Sequence, residues 1–154
     1  MTNRCMAILA CACLAMSGGC AMLGMQGSHA GWREFTFIAT PDANRNSPVA
    51  IDVALISNHD ALEKVVALTA AQWFASRADL GATFPQGIRY RSWEIVPGQT
   101  LAVDKRAFAG SRVIAALVFA NYGTPGAHRL RIDGFDGRVV VTMTATGFTL
   151  TSLK

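Results

Sequence analysis

The side chains able to do chemistry are few in this sequence. The four cysteines, Cys5, Cys11, Cys13 and Cys20, all fall in the first twenty of 154 residues. Cys11, Cys13 and Cys20 stand close enough for a metal or redox cluster, but they sit in an apolar stretch where cysteine serves as small filler. His29, His59 and His128 share no spacing that would bring two imidazoles together, so no zinc site follows. Asp42, Asn44 and Asn46 have the alternate spacing that opens a calcium loop. Ser47 replaces the glycine such a loop needs and Val53 the closing bidentate glutamate, so no metal is expected. Gly110-Ser111-Arg112 lacks the second glycine of a nucleophile elbow. Asp133 and Asp136 lie around an Asp-Gly turn, which accounts for both carboxylates without acid–base work. No catalytic residue and no cofactor is assigned, and the sequence reads as non-enzymatic.

Among the segments that carry these side chains, the first nineteen residues have the parts of an export signal. Arg4 forms the charged start, Cys5 to Met16 an apolar run, and Ser17-Gly18-Gly19 a small-residue exit. The run falls short of the roughly 20 apolar residues that span a bilayer. A cysteine directly after such an exit resembles the lipobox of bacterial lipoproteins, with Ser17 where leucine is usual. The resemblance implies a covalent lipid on Cys20 as the first mature residue, and Ala21 after it favours the outer membrane. Acyl chains gain about 0.8 kcal/mol per buried methylene, so a multiply acylated cysteine anchors without a spanning helix. Cleavage after Ala30, at Ser28-His29-Ala30, is the rival processing site. Residues 20–33, with Gly24, Gly27 and Gly31, read as the acylated cysteine and a flexible tether, and 34–154 as one folded domain.

Within that domain the apolar pattern has mostly a period of two. Glu34 to Ile38 alternates around Phe35 and Phe37, and Val49 to Ile56 around Val49, Ile51, Val53 and Leu55, giving two strands expected to pair. Between them, Pro41 to Pro48 is a polar turn, and Asp42, Ala43, Asn44, Arg45, Asn46 and Ser47 form an exposed candidate for protein contact. The period then changes. Asp60 is a candidate N-cap and Thr69-Ala70-Ala71-Gln72 a capping box, with Leu68 and Trp73 placed as a hydrophobic staple. Helices over about 61–67 and 70–79 follow. Further strands are expected at 88–96, with a bulge where the apolar phase shifts between Tyr90 and Trp93, and at 100–103, 111–120, 128–132, 138–143 and 148–151. The stretch 111–120, apolar on both faces, should be the most central. Short strands at intervals of about ten residues predict an all-β, antiparallel β-sandwich with a helical insertion between the second and third strands.

Charge excludes some functions. The whole chain carries +4, without the clustered basic excess of a nucleic-acid binder. Arg89, Arg91, Arg129, Arg131 and Arg138 alternate on late strands; solvated strand faces explain them better than a basic face for a partner or lipid headgroups.

Phe35-Thr36-Phe37-Ile38-Ala39-Thr40-Pro41-Asp42-Ala43-Asn44, followed by Ser47-Pro48-Val49-Ala50-Ile51-Asp52-Val53, is similar to the first two strands and connecting loop of the type VI secretion outer-membrane lipoprotein family (TssJ/SciN/VasD). Val96-Pro97-Gly98-Gln99-Thr100 resembles a later turn of that family. The resemblance implies a transthyretin-like or Ig-like sandwich acting as a scaffold. It further implies a lipid anchor in the outer membrane, periplasmic placement, and binding of the periplasmic domain of a TssM-like inner-membrane protein within a multi-subunit envelope complex. Part of that contact would fall to the loop Asp42 to Ser47. Asn58-His59-Asp60 and the long helical stretch depart from the family, leaving open a lipoprotein of another secretion or pilus apparatus. A periplasmic ligand-binding module or inhibitor that uses Trp73, Tyr90 or Trp93 on an open face is the alternative of a different class.

Overall fold

A computed structural model describes residues 27–110 and 112–154; Cys20 and the expected export signal lie outside them. The described strands are β1 (Ser28–His29), β2 (Glu34–Ala39), β3 (Val49–Ile56), β4 (Ile88–Ile95), β5 (Thr100–Ala102), β6 (Arg112–Val113), β7 (Ala115–Asn121), β8 (Arg129–Ile132), β9 (Arg138–Met143) and β10 (Phe148–Leu153). One four-stranded sheet runs β10-β9-β2-β5 and the other β4-β3-β7-β8, while β1 and β6 make a two-stranded ribbon. The sandwich is antiparallel except where β2 lies parallel to β9.

Alternation along β2 and β9 turns Phe35, Phe37, Val139 and Val141 toward Val49, Ile51 and Val53 of β3, forming the core between the sheets. The opposite face of β3 is also buried, because the two helices of the insertion cover it. Helix α1 (His59–Val66) and helix α2 (Ala70–Thr83) join Ala54, Ile56, Leu117 and Phe119 in a second apolar cluster centred on Trp73. Trp73 stacks on Phe119 at 4.8 Å between centroids and meets Tyr90 edge-on.

The capping box at Thr69 forms as its residues demand. The Gln72 amide donates to Thr69 Oγ1 at 3.3 Å, and the Thr69 amide to Gln72 Oε1 at 2.8 Å. The first helix starts earlier than Asp60 suggests. Asn58 is its N-cap, accepting from the Ala61 amide at 2.9 Å, and Asp60 lies in the first turn, where a carboxylate favours the positive end of the helix dipole. One polar group is buried in the interface between helix and sheet. The fully enclosed Asp52 carboxylate accepts from Trp73 Nε1 at 2.8 Å and from the Arg77 guanidinium at 2.5 Å. Arg77 also covers the Phe74 ring, 4.8 Å from its centroid.

Four features differ from the sequence reading, each for a physical reason. First, β2 and β3 are not paired: β2 joins β5 and β9, and β3 joins β4 and β7. Both strands bury one alternating face against the other across the core, a pattern that facing strands share with paired ones. Second, β4 has no bulge, and its register with β3 is continuous from Val49 opposite Ile95 to Ile56 opposite Ile88. Its apolar phase shifts because Ile88 and Tyr90 pack with the helices, while Trp93 and Ile95 pack into the sandwich. Third, β7 shares the centre of its sheet with β3. Fourth, the packed structure begins before residue 34. Ser28 and His29 pair with Val113 and Arg112, and Ala30 and Trp32 are buried. The glycines and polar residues that suggest a tether through residue 33 hide this two-residue strand and its single aromatic anchor.

Candidate interaction site at the loop end of the sandwich

The loop between β2 and β3 lies at the end of the sandwich opposite to the one where the chain enters. Six residues of β2 at about 3.3 Å each set the two ends roughly 20 Å apart. The Asp42 to Ser47 loop is an ordered left-handed turn, with φ of 46° at Asn44, 55° at Arg45 and 62° at Asn46. Three successive non-glycine residues in this region are unusual, and asparagine is among the residues that tolerate it best. The turn persists because its neighbours hold it.

Asn44 does much of the holding. The residue is 9% exposed; Nδ2 donates to the Pro48 carbonyl at 3.0 Å and Oδ1 accepts from the Gly123 amide at 2.9 Å. Its own amide donates to the Thr144 carbonyl at 3.0 Å. Thr40 secures the start of the loop, its Oγ1 donating to Asp42 Oδ1 at 2.6 Å and its carbonyl accepting from the Gly98 amide at 3.1 Å. Across the β7–β8 connection, Tyr122 donates its hydroxyl hydrogen to the Gly147 carbonyl at 2.5 Å and stacks on His128. Burial pushes the Tyr122 hydroxyl up to about 12. Thr124 Oγ1 donates to the Thr146 carbonyl at 3.2 Å.

The six loop residues therefore divide. Ala43 and Asn44 are interior, whereas Asp42, Arg45, Asn46 and Ser47 are exposed. Sequence reasoning treats Asn44 as part of the tip; its burial depends on Gly123 and Thr144, which only the folded chain brings near. Val96, 47% exposed, is an apolar side chain at this same end, next to the Gly98 contact with Thr40. In the sequence only the Pro97-Gly98 turn marks its place.

Elsewhere the candidate groups stay apart. Trp73 is 0% exposed, which removes it from any open binding face, and Tyr90 and Trp93 are partly covered on opposite faces of β4. The five late arginines do not converge. Arg91 donates to the Ala107 carbonyl, Arg129 to the Leu68 carbonyl, and Arg138 pairs with Glu34, with β4 and β8 at opposite edges of one sheet and β9 in the other. Asp133 and Asp136 are exposed in their turn, and His29 lies in β1. Among the described residues no group of three His, Cys, Asp or Glu side chains could hold a metal ion, and no helix is long and apolar enough to cross a membrane.

No protein-family model matches the sequence, and no curated protein matches it. Solved structures do. The type VI secretion lipoprotein TssJ1 from Pseudomonas aeruginosa aligns with a TM-score of 0.58 at 12% identity, over 79% of this chain and 95% of that one. Serratia marcescens Lip, a membrane-bound component of the type VI secretion system, aligns at 0.55 and 12%, over 77% and 96%. A chain in the structure of the TssM C-terminal domain (869–1107) from EAEC aligns at 0.53 and 13%, over 78% and 97%. At these identities the likeness is one of fold, and the fold is the β-sandwich of type VI secretion lipoproteins that the strand and loop motifs resemble.

Proposed function

We propose that this chain is a non-enzymatic lipoprotein of the outer membrane, facing the periplasm. In this reading it anchors an envelope-spanning, type VI-like secretion complex. Cys20 carries the lipid, and Asp42, Arg45, Asn46 and Ser47 meet the periplasmic domain of a TssM-like inner-membrane protein. The observation that carries this reading is the opposition of the two ends. The chain enters beside β1 and Trp32, and the ordered polar loop projects from the far end of β2. A span from Cys20 to Gly27 reaches at most about 25 Å when fully extended, which keeps the entry end close to a membrane and turns the loop away from it.

Three further observations support it. Structures with this fold include membrane-bound secretion components. A fold-level likeness extends to a chain in a TssM domain structure. Cleavage after Ala30 would remove β1 and separate buried Ala30 from the core, which favours processing at Cys20 over processing after Ala30.

Membrane fractionation tests the anchor. Cys20→Ser should move the protein from the membrane fraction to the soluble periplasm, and its retention in the membrane would sink the anchoring role. The docking role is tested by recovery of the TssM-like periplasmic domain on immobilised protein. Wild type should retain it and a chain altered at Arg45 and Asn46 should not; equal recovery by both would reject the loop.

A further inference from the structure

We infer that the docking surface is composite: the β7–β8 connection, Gly123 to Gly126, forms its second half, and Asn44 is the positioning residue that fixes the two halves relative to one another. The inference rests on the docking role given above and adds to it a second contact segment, a joint and a partner chemistry.

The geometry is direct. The Asn44 carboxamide has two ends and both are used, one on the Pro48 carbonyl of its own loop and the other on the Gly123 amide of the neighbouring connection. Its backbone amide reaches the β9–β10 turn at Thr144. That turn is tied back to the β7–β8 connection by Thr124 on Thr146 and by Tyr122 on Gly147. Three connections thus close a ring of hydrogen bonds with Asn44 as a common member. Around it, Pro125, Gly126, Thr146 and the tip residues Arg45 and Asn46 are exposed.

A side chain that is buried, doubly bonded and held at positive φ is not itself a contact. It sets the distance between two exposed segments, and a surface fixed in this way binds without paying to order its loops. The partner it fits is a folded surface that hydrogen-bonds rather than a strongly charged peptide. The exposed side chains of the two segments include one carboxylate, Asp42, and one guanidinium, Arg45, so attraction between net charges contributes little.

The test measures affinity of the full chain, solubilised in detergent, for the purified periplasmic domain of the TssM-like protein. Four variants are compared: Arg45→Glu with Asn46→Arg at the tip, Pro125→Trp in the second segment, Asn44→Gly at the joint, and Asp133→Arg at the opposite end as control. Glycine accepts the backbone angle without strain while removing the side chain and both of its hydrogen bonds. Melting temperature verifies that each variant is folded, and a variant that is not is replaced by Pro125→Tyr for the second segment or Asn44→Ser, too short to reach the Gly123 amide, for the joint.

The expected result is a loss of tenfold or more in Kd for the tip variant and for Pro125→Trp. Asn44→Gly should weaken binding by about tenfold with faster dissociation, and Asp133→Arg should be unchanged. Affinity should vary by less than about threefold between low and high salt, as befits few net charges. If the tip variant loses binding while Pro125→Trp and Asn44→Gly both stay within twofold of wild type, the composite surface is overturned and the docking role stands. If the tip variant also binds normally, both are overturned. A steep salt dependence would overturn the partner chemistry alone.

Discussion

At the end where the chain enters, Trp32 packs edge-on against Phe35 and Phe108, with centroids 5.4 and 5.0 Å away, and leans on Phe135. Its indole nitrogen donates to the Gly134 carbonyl at 3.1 Å. At the other end the connections are joined by carboxamide, hydroxyl and backbone groups around Asn44, Thr40 and Tyr122, with Asn44, Arg45 and Asn46 at positive φ. Burial of apolar area is non-directional, and the edge-on rings add a geometric preference of their own, so this packing suits a junction whose purpose is to hold. Hydrogen bonds fix angles as well as distances. They suit an end that must present backbone and side chains in one arrangement, and because each contributes only about 1 kcal/mol net they do so at modest gain in stability.

Mutation should separate the two ends. The largest effect is expected from Trp32→Ala, which removes a buried aromatic and with it the packing of residues 28–32. A loss of about 3–5 kcal/mol in chemical denaturation is expected, with little change in partner affinity beyond that of unfolding. Asn44→Ala should cost about 2–3 kcal/mol, from two lost hydrogen bonds and an alanine held at positive φ; calorimetry should find Asn44→Gly less affected because glycine accepts that angle. Equal losses for the two would place the whole effect in the carboxamide.

Tyr122→Phe should cost about 1 kcal/mol at neutral pH through the lost bond to Gly147. Its pH dependence is more telling. The folded hydroxyl is raised to about 12 by burial, above the ordinary value of about 10 for an unfolded tyrosine. The stabilisation is therefore complete below pH 10 and is lost as pH rises through 12. The gap between wild type and Tyr122→Phe should narrow over that window in denaturation curves, and a constant gap would contradict the burial. The smallest effect is expected at the exposed tip: Arg45→Ala should shift stability by no more than about 0.5 kcal/mol and show itself in partner binding.

What the sequence made legible was local. The capping box at Thr69 and Gln72, the faces of β2 and β3, and the sandwich with its helical insertion after Ile56, between β3 and β4, follow from short-range periodicity and cap chemistry. What stayed hidden depended on distant partners. Phe35 and Phe37 alternate identically whether β3 lies beside β2 or across the core from it. Asn44 looks like any turn asparagine until Gly123 and Thr144 come within bonding distance. Ser28 and His29 form a strand only because Arg112 and Val113 are there to receive it, and nothing in a Gly- and Ser-bearing stretch announces that.

The division of β4 between two apolar clusters has a consequence for how the domain avoids misassembly. As an edge strand, β4 offers unpaired backbone groups and is the kind of element that slides or recruits another chain. A slip of one residue against β3 would turn Ile88 and Tyr90 away from the helices, and in the same movement Trp93 and Ile95 away from the sandwich. No intermediate alignment retains half of the packing. The strand is locked like a key cut on both edges, so pairing errors at this border are penalised twice, and the adjoining Pro97-Gly98 turn is delivered to the loop end of the sandwich in a single setting.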